Sequence, residues 1–500
     1  MILDQSAITE VITNLLSLDT LLALIIGVIG GMIMGALPGL SSTMAVALLV
    51  PITFGMTPVA GLVMLTAIYT SSTYGGSLSA ILIHTPGTPA AAATAIDGYQ
   101  LTKKGEAARA IGIATIASVI GGFISGLALM FLAPPLAKVS LLFSGPEYFF
   151  LALFGLTIIG SLSGGSVLKG ISSGVIGLLV GTVGIDIVTG FPRFTFNSIS
   201  LESGISLIPA LIGLFSLSQV FILLEGSNKE EGEKSEFTQH IKKIIPSAKD
   251  LKKVMVTILR SSGLGVLIGI LPGAGGDVGA WVSYNEAKRF SKNKEEFGKG
   301  SVEGVAGAEA ANNAVTGGAL IPLMTLGIPG SSTTAVLLGG LMIQGLVPGN
   351  ALFTEHAGVS YSVIIGFLFA NILMGIVGIL GAKYFIKVLD VPQSILIPII
   401  IALCVIGSFA INNNIFDIWV MIFFGVLGFM MRKLSFSPAA LILGLILGPI
   451  AEKGLDQSIT MAQGNLFGFF LTRPIAIAFM ALIIITIVSP LILRYFKTAK

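Results

Sequence analysis

The sequence predicts an all-α, polytopic membrane protein with about 11–12 spanning segments, additional broken or re-entrant helices, and two inverted-topology repeats. Three observations carry this reading. Of the 500 residues, 54% are hydrophobic and 11% charged, where a soluble domain has about 25% charged; mean hydropathy is +0.95. Apolar runs of about 20 residues recur from end to end, which excludes a single anchor on a soluble body. One block is also present twice. Gly35-Ala36-Leu37-Pro38-Gly39-Leu40-Ser41-Ser42 returns as Gly269-Ile270-Leu271-Pro272-Gly273-Ala274-Gly275-Gly276, each copy closing one apolar run and opening the next.

The composition excludes several classes. A net charge of +3 is no signal for nucleic acid, because the basic residues sit in short loops. The lone Cys404, inside an apolar run, rules out an intrachain disulfide and a cysteine metal cluster. Asp4 and Glu10 precede the first apolar run without a basic flank, so no cleavable signal peptide is expected. The 63 glycines suit close helix packing and helix breaks.

The first repeat is expected over residues 1–225. Its opening run, Leu21 to Leu37, meets Pro38-Gly39; Met44 to Phe54 follows, then Val59 through Gly75-Gly76 to His84 and a second break, Thr85-Pro86-Gly87-Thr88-Pro89. Further spans are expected near 110–133, 147–163, 166–183 and 204–225, while 184–203, with Phe191-Pro192-Arg193-Phe194, is too polar to span. Residues 226–253, the long hydrophilic stretch, read as a cytoplasmic linker. The second repeat, 254–500, reaches Pro272-Gly273, a basic loop at 288–299, Gly317-Gly318 and the break Gly327-Ile328-Pro329-Gly330-Ser331-Ser332. Candidate spans near 358–386, 391–411, 413–431, 437–450 and 474–493 close the chain.

Charge decides the sense of the repeat. The loop 288–299 holds Lys288, Arg289, Lys292, Lys294 and Lys299, whereas its counterpart 54–58 is uncharged. The loop 103–109 holds Lys103, Lys104 and Arg109, whereas its counterpart around Val347 to His356 has no basic residue of that kind. Cytoplasmic loops collect Lys and Arg, so equivalent loops fall on opposite sides, as inversion requires. This places the protein in the cytoplasmic membrane, surrounded by lipid, with its N-terminus outside and its C-terminus inside.

Pro and several glycines cannot continue a hydrogen-bonded helix. In a bilayer such backbone persists only where protein or a watery cavity satisfies it. The plain reading is that each Pro-Gly merely ends a helix; matched breaks in two halves point instead to a transport site. Helix N-termini bind carboxylates without a buried cation, and hydroxyls add donors. The substrate-binding candidates are therefore Pro38, Gly39, Ser41, Ser42, Thr43, Thr85, Gly87, Thr88, Gly273, Gly275, Gly330, Ser331, Ser332 and Thr333. Carbonyls freed at the breaks suit Na⁺. Polar patches precede both Gly-Gly pairs, and Ser71, Ser72, Thr73, Asn312, Asn313 and Glu309 are the ion-coupling candidates, with Asp277. Small polar residues also bond between helices in membranes. Asp277 fits a helix cap or a proton carrier, and Arg260 fits snorkelling toward the basic loop.

The two Pro-Gly blocks, Tyr74-Gly75-Gly76-Ser77 through Thr85-Pro86-Gly87, and Glu309-Ala310-Ala311-Asn312-Asn313-Ala314 through Gly327-Ile328-Pro329-Gly330, resemble the large membrane subunit, TctA, of tripartite tricarboxylate transporters. The resemblance extends through Phe191-Pro192-Arg193-Phe194 and Thr354-Glu355-His356 and covers nearly the whole chain. It implies a small membrane subunit and an extracytoplasmic solute-binding protein as partners, and uptake of citrate-like tricarboxylates or dicarboxylates coupled to Na⁺ or H⁺. Asp277 departs from the pattern, which has a small or hydroxyl residue there.

The alternative is a stand-alone ion-coupled carboxylate carrier. A remote alternative, an intramembrane protease, has Gly170-Ile171-Ser172-Ser173-Gly174 in its favour, but His84, His240 and His356 offer no base within reach. A channel lacks a ring of like charges. No enzymatic activity, cofactor or nucleic-acid partner is expected beyond the coupling ion.

Overall fold

The computed structural model describes residues 5–162, 167–186, 189–226, 244–273, 275–388 and 391–498. Most of the expected linker, and His240 within it, lies outside these residues. In chain order the helices are α1 (Gln5–Leu16), α2 (Leu18–Ala36), α3 (Ser42–Thr53), α4 (Pro58–Ile83), α5 (Ala92–Lys103) and α6 (Ala107–Val139). Then come α7 (Gly145–Leu162), α8 (Val167–Gly181), α9 (Ile199–Glu202), α10 (Leu207–Leu211) and α11 (Ser218–Gly226). After the linker follow α12 (Ala248–Ile270), α13 (Gly275–Phe290), α14 (Val302–Leu326), α15 (Ser332–Ile343), α16 (Asn350–Thr354) and α17 (Ala357–Val388). The chain closes with α18 (Gln393–Asn412), α19 (Ile415–Lys433), α20 (Pro438–Ala462), α21 (Leu466–Leu471) and α22 (Pro474–Thr498). Among the described residues the strands are one two-residue antiparallel pair, Gly184–Ile185 with Pro192–Arg193.

The fold is all-α and polytopic. Among the described residues, eight helical stretches are long and apolar enough to cross a membrane: α2, α6, Leu207–Glu225, α12, α17, α18, α19 and α20. The helices α4 and α14 have 26 and 25 residues, long enough to span, but their Ser, Thr, Asn and Gly content lowers their hydropathy. The 12-residue helices α3 and α15 rise only about 18 Å, short of a hydrocarbon core of about 30 Å.

Two compact units are present, residues 1–137 with 219–407, and 138–218 with 408–500. In the first, local chemistry sets each break. Ser17 and Ser247 cap α2 and α12 through Thr20 N and Asp250 N. Both helices end at an extended Leu, Leu37 and Leu271, ahead of Pro-Gly, with Gly39 at φ 86° and Gly273 at φ 81°. The caps of α3 and α15 are Ser41 and Ser331, the latter in a reciprocal capping box with Thr334.

Helix α2 packs on α4, and α12 on α14, through small residues that admit backbone contact. A methyl on Gly35 would stand 2.1 Å from Ser72 O, and one on Gly269 2.8 Å from Val315 O. From the facing helices, Gly75 and Gly318 approach Met32 O and Val266 O in the same manner. Tyr74, Met32, Ile111, Val254, Ile258 and Met374 fill the surrounding core. Arg260 pairs with Glu286 at 2.5 Å and lies over Phe290, so it is held by a partner on α13 rather than merely reaching for the surface.

In the second unit, Gly174 and Gly177 of α8 meet Gly444 and Leu441 of α20. Arg473 clamps the buried Glu147 at 3.0 Å, beside a cluster of Phe149, Phe150 and Phe470. The Gly170–Gly174 segment is part of that α8 face. The Ser173 hydroxyl donates to Lys169 O at 2.8 Å, and Gly174 packs α20.

Candidate functional site

The first unit brings the broken helices together. Helices α3 and α15 lie side by side and parallel. Near their starts the hydroxyls of Thr43 and Thr333 share a hydrogen bond of 2.9 Å, and near their ends Gln344 Nε2 donates to Thr53 O at 2.8 Å. Sequence separations of 290 and 291 at the two contacts fix the parallel sense. Two helix N-termini therefore stand together, each a focus of unpaired N–H groups and partial positive charge. Around them Tyr69 OH meets Ser331 Oγ at 3.2 Å, and Ser42 Oγ meets Thr73 Oγ1 at 3.4 Å. All these hydroxyls are buried.

The other two breaks form a second pair. The Pro89–Ala91 turn that opens α5 touches the start of α13, where a methyl on Gly276 would lie 3.4 Å from Ala90 Cβ and 2.7 Å from Asn312 Oδ1. The pairs connect within each half. Gly273 N–H donates to Gly330 O at 2.9 Å, and a methyl on Gly87 would stand 2.0 Å from Gly35 O. The four breaks thus close a cycle, first to fourth, fourth to third, third to second and second to first. Gly275 is buried in it and Ser332 half-buried at its edge; Thr88 is buried with its hydroxyl unpartnered. Pro38 and Ser41 are half-buried, and Gly39 is exposed toward Gln219 and Leu223. Thr85 is not gathered in: it is exposed and donates to Ile83 O at 3.3 Å. Asp277 is exposed in the first turn of α13, where the positive end of the helix favours its carboxylate.

Helices α4 and α14 cross at their polar patches. The Thr70 hydroxyl points between Asn313 Oδ1 at 3.3 Å and Asn371 Oδ1 at 2.8 Å. Ser71, Ser72 and Thr73 spend their hydroxyls on carbonyls of their own helix: Ala67 O at 2.5 Å, and Tyr69 O at 3.1 and 2.8 Å. By contrast Asn312 Oδ1 and Nδ2, and Asn313 Nδ2, are buried without partners. Glu309 is fully buried and accepts hydrogen bonds from Thr94 on α5 and, at 2.9 Å, from Ser118 on α6.

Sequence reasoning missed Asn371 and Asp97. Asn371 is a lone amide inside the apolar α17, a detectable signal. Asp97 reads as the start of a polar loop, yet it is fully buried. Its Oδ1 accepts from the backbone N–H groups of Gly298, Gly300 and Ser301 at 2.8–2.9 Å, and its Oδ2 from Tyr284 OH at 2.8 Å. It pins α5 to the start of α14.

Interrupted helices meeting around buried hydroxyls and amides, in a multi-pass helical membrane protein, define a membrane transport protein. The chain belongs to the tripartite tricarboxylate transporter TctA family, whose model matches residues 21–443. It is accordingly a transporter subunit and not an enzyme. It is similar to an uncharacterised 52.8 kDa protein of the TAR-I ttuC' 3' region of Agrobacterium vitis, 39% identical over 91% of this chain and 90% of that protein. It is also similar to an uncharacterised protein of the TAR-II ttuC' 3' region of the same organism, 36% identical over 46% of this chain and 94% of that one. No solved structure matches it significantly.

Proposed function

We propose that this chain is the large membrane subunit of a binding-protein-dependent secondary transporter that imports citrate-like tricarboxylates or dicarboxylates with Na⁺ or H⁺. It works with a small membrane subunit and an extracytoplasmic solute-binding protein, its N-terminus outside and its C-terminus inside. The observation that carries the reading is the twinned N-termini of α3 and α15. Two parallel helices set side by side place like partial charges together, which is unfavourable until an anion lies across them. A substrate with two carboxylates suits two N-termini, and the hydroxyls of Ser42, Thr43, Ser331 and Thr333 turn their protons toward it. Pro38, Gly39, Ser41, Ser332 and the breaks at Gly87, Thr88, Gly273, Gly275 and Gly330 complete the walls.

Two inverted repeats explain why each pair of breaks takes one member from either half. The matched α2–α4 and α12–α14 contacts support the same reading. A polyanion entering a negative-inside cell costs about 2.3 kcal/mol per charge per 100 mV, so co-transported cations must offset it. Uptake of radiolabelled carboxylates into proteoliposomes holding all three components tests the reading. Accumulation that follows an imposed Na⁺ or H⁺ gradient is expected; no uptake across a carboxylate panel would sink it.

A further inference from the structure

Two carboxylates are fully buried in the first unit within reach of α14, and their surroundings differ in kind. Asp97 is met by three backbone N–H groups and a phenol. Backbone N–H groups donate in one direction only, so Asp97 is a settled structural anion. Glu309 is met by the hydroxyls of Thr94 and Ser118. A hydroxyl carries lone pairs as well as a proton and can turn to offer oxygen to a cation. Asn312, one helical turn from Glu309, leaves both Oδ1 and Nδ2 unpartnered while fully buried. Burying such a group costs free energy unless something occupies it.

Nor does a basic side chain balance Glu309. Among the described residues none pairs with it, and the charged groups on the elements packed against it are engaged or exposed. Arg109 pairs with Asp250, Arg260 with Glu286 and Lys253 with Glu296. Glu303 accepts from Ser291, Tyr284 is held by Asp97, and Tyr74 is held by Thr115 at 2.6 Å. Lys103 lies over the Tyr99 ring, while Asp277, Lys288 and Arg289 are exposed.

We propose that Glu309, Thr94, Ser118 and Asn312 form a binding site for one monovalent cation, a sodium ion or a proton, which on the transport reading above is the coupling ion. As a sodium site it supplies the carboxylate, two hydroxyl oxygens and the free Asn312 Oδ1, the hard oxygen set that ion takes. As a proton site it supplies the carboxyl oxygen and, in Asn312 Oδ1, an acceptor for the new O–H. The site is single. At the separation of 243 that joins Thr70 to Asn313, Glu309 has Thr66 as its counterpart, whose hydroxyl bonds carbonyls of its own helix.

The test is thermal unfolding of the purified chain in detergent, titrated with NaCl against choline chloride at fixed pH, and separately with pH in the absence of Na⁺. A ligand that binds only the folded state raises Tm. Wild type is expected to respond in one arm, which names the ion, and Glu309→Gln in neither beyond the background. Equal responses of wild type and Glu309→Gln, or no wild-type response in either arm, would overturn the site. Thr94→Val and Ser118→Ala are expected to shift the midpoint about tenfold, and an unmoved midpoint in both overturns it even where Glu309→Gln fails to fold. No substrate enters this assay, so an absence of uptake in proteoliposomes with the cation response intact would break the transport reading alone.

Discussion

Tyr69–Thr73 of α4 and Glu309–Asn313 of α14 are the polar patches that precede the two Gly-Gly pairs, and each helix packs its partner, α2 or α12, through the same small-residue contact. Their polar atoms are used in opposite ways. In α4 the hydroxyls of Ser71, Ser72 and Thr73 are consumed by carbonyls within the helix. In α14 the amide of Asn312 and the Nδ2 of Asn313 are left open and a carboxylate is buried. A short hydroxyl side chain reaches the carbonyl three or four residues back; an Asn or Glu side chain is longer and projects away from the helix. The helix contact is thus matched while the chemistry is not.

The largest effects test the shared backbone. Gly35→Ala drives a methyl into Ser72 O, a rigid contact at 2.1 Å, and Gly269→Ala meets Val315 O at 2.8 Å. We expect a loss of about 3 kcal/mol for the first and nearer 1 for the second, read as lower Tm and less monodisperse protein. Equal losses would mean that the two interfaces are less distinct than the distances imply. Asp97→Ala should cost about 2 kcal/mol by stranding the N–H groups of the buried Ser301, the half-buried Gly300 and the exposed Gly298. Hydrogen exchange should quicken at the start of α14 before other regions.

Smaller effects separate the two kinds of chemistry. Thr43→Val and Thr333→Val each remove half of the bridge between the α3 and α15 N-termini. We expect apparent substrate affinity in uptake to fall about tenfold, near 1.4 kcal/mol, and an unchanged KM in both would break the twinned-terminus site. Asn312→Ala should raise the cation concentration needed for half-maximal uptake, while Ser72→Ala, whose hydroxyl is spent on Tyr69 O, should leave it near wild type. A matching effect of the two would show that the patches are functionally alike after all. The last test leaves activity untouched. With Cys404 replaced, a cysteine at Asn293 should resist an impermeant thiol reagent in intact cells, and one at Gly55, exposed with open space around it, should react. Reaction of both, or of neither, contradicts inversion.

What the sequence by itself determined is local or compositional. The all-helical membrane character follows from apolar runs, and each break follows from Pro and Gly at a helix junction, because these act through the backbone of their own neighbours. Caps at Ser41 and Ser331 and the close-packing glycines are equally local. The tertiary structure alone decided which breaks meet. Thr43 and Thr333 are 290 residues apart, and nothing in either segment encodes a parallel partner. It also decided that Asp97 is an internal anion and not a loop residue, since its donors come from Gly298, Gly300 and Ser301 far along the chain. Likewise Thr94 and Ser118 are unremarked hydroxyls in sequence and become partners of Glu309 only when α5 and α6 fold against α14. A side chain's environment is made by whatever long-range packing brings to it. A helix break is made by the residue itself.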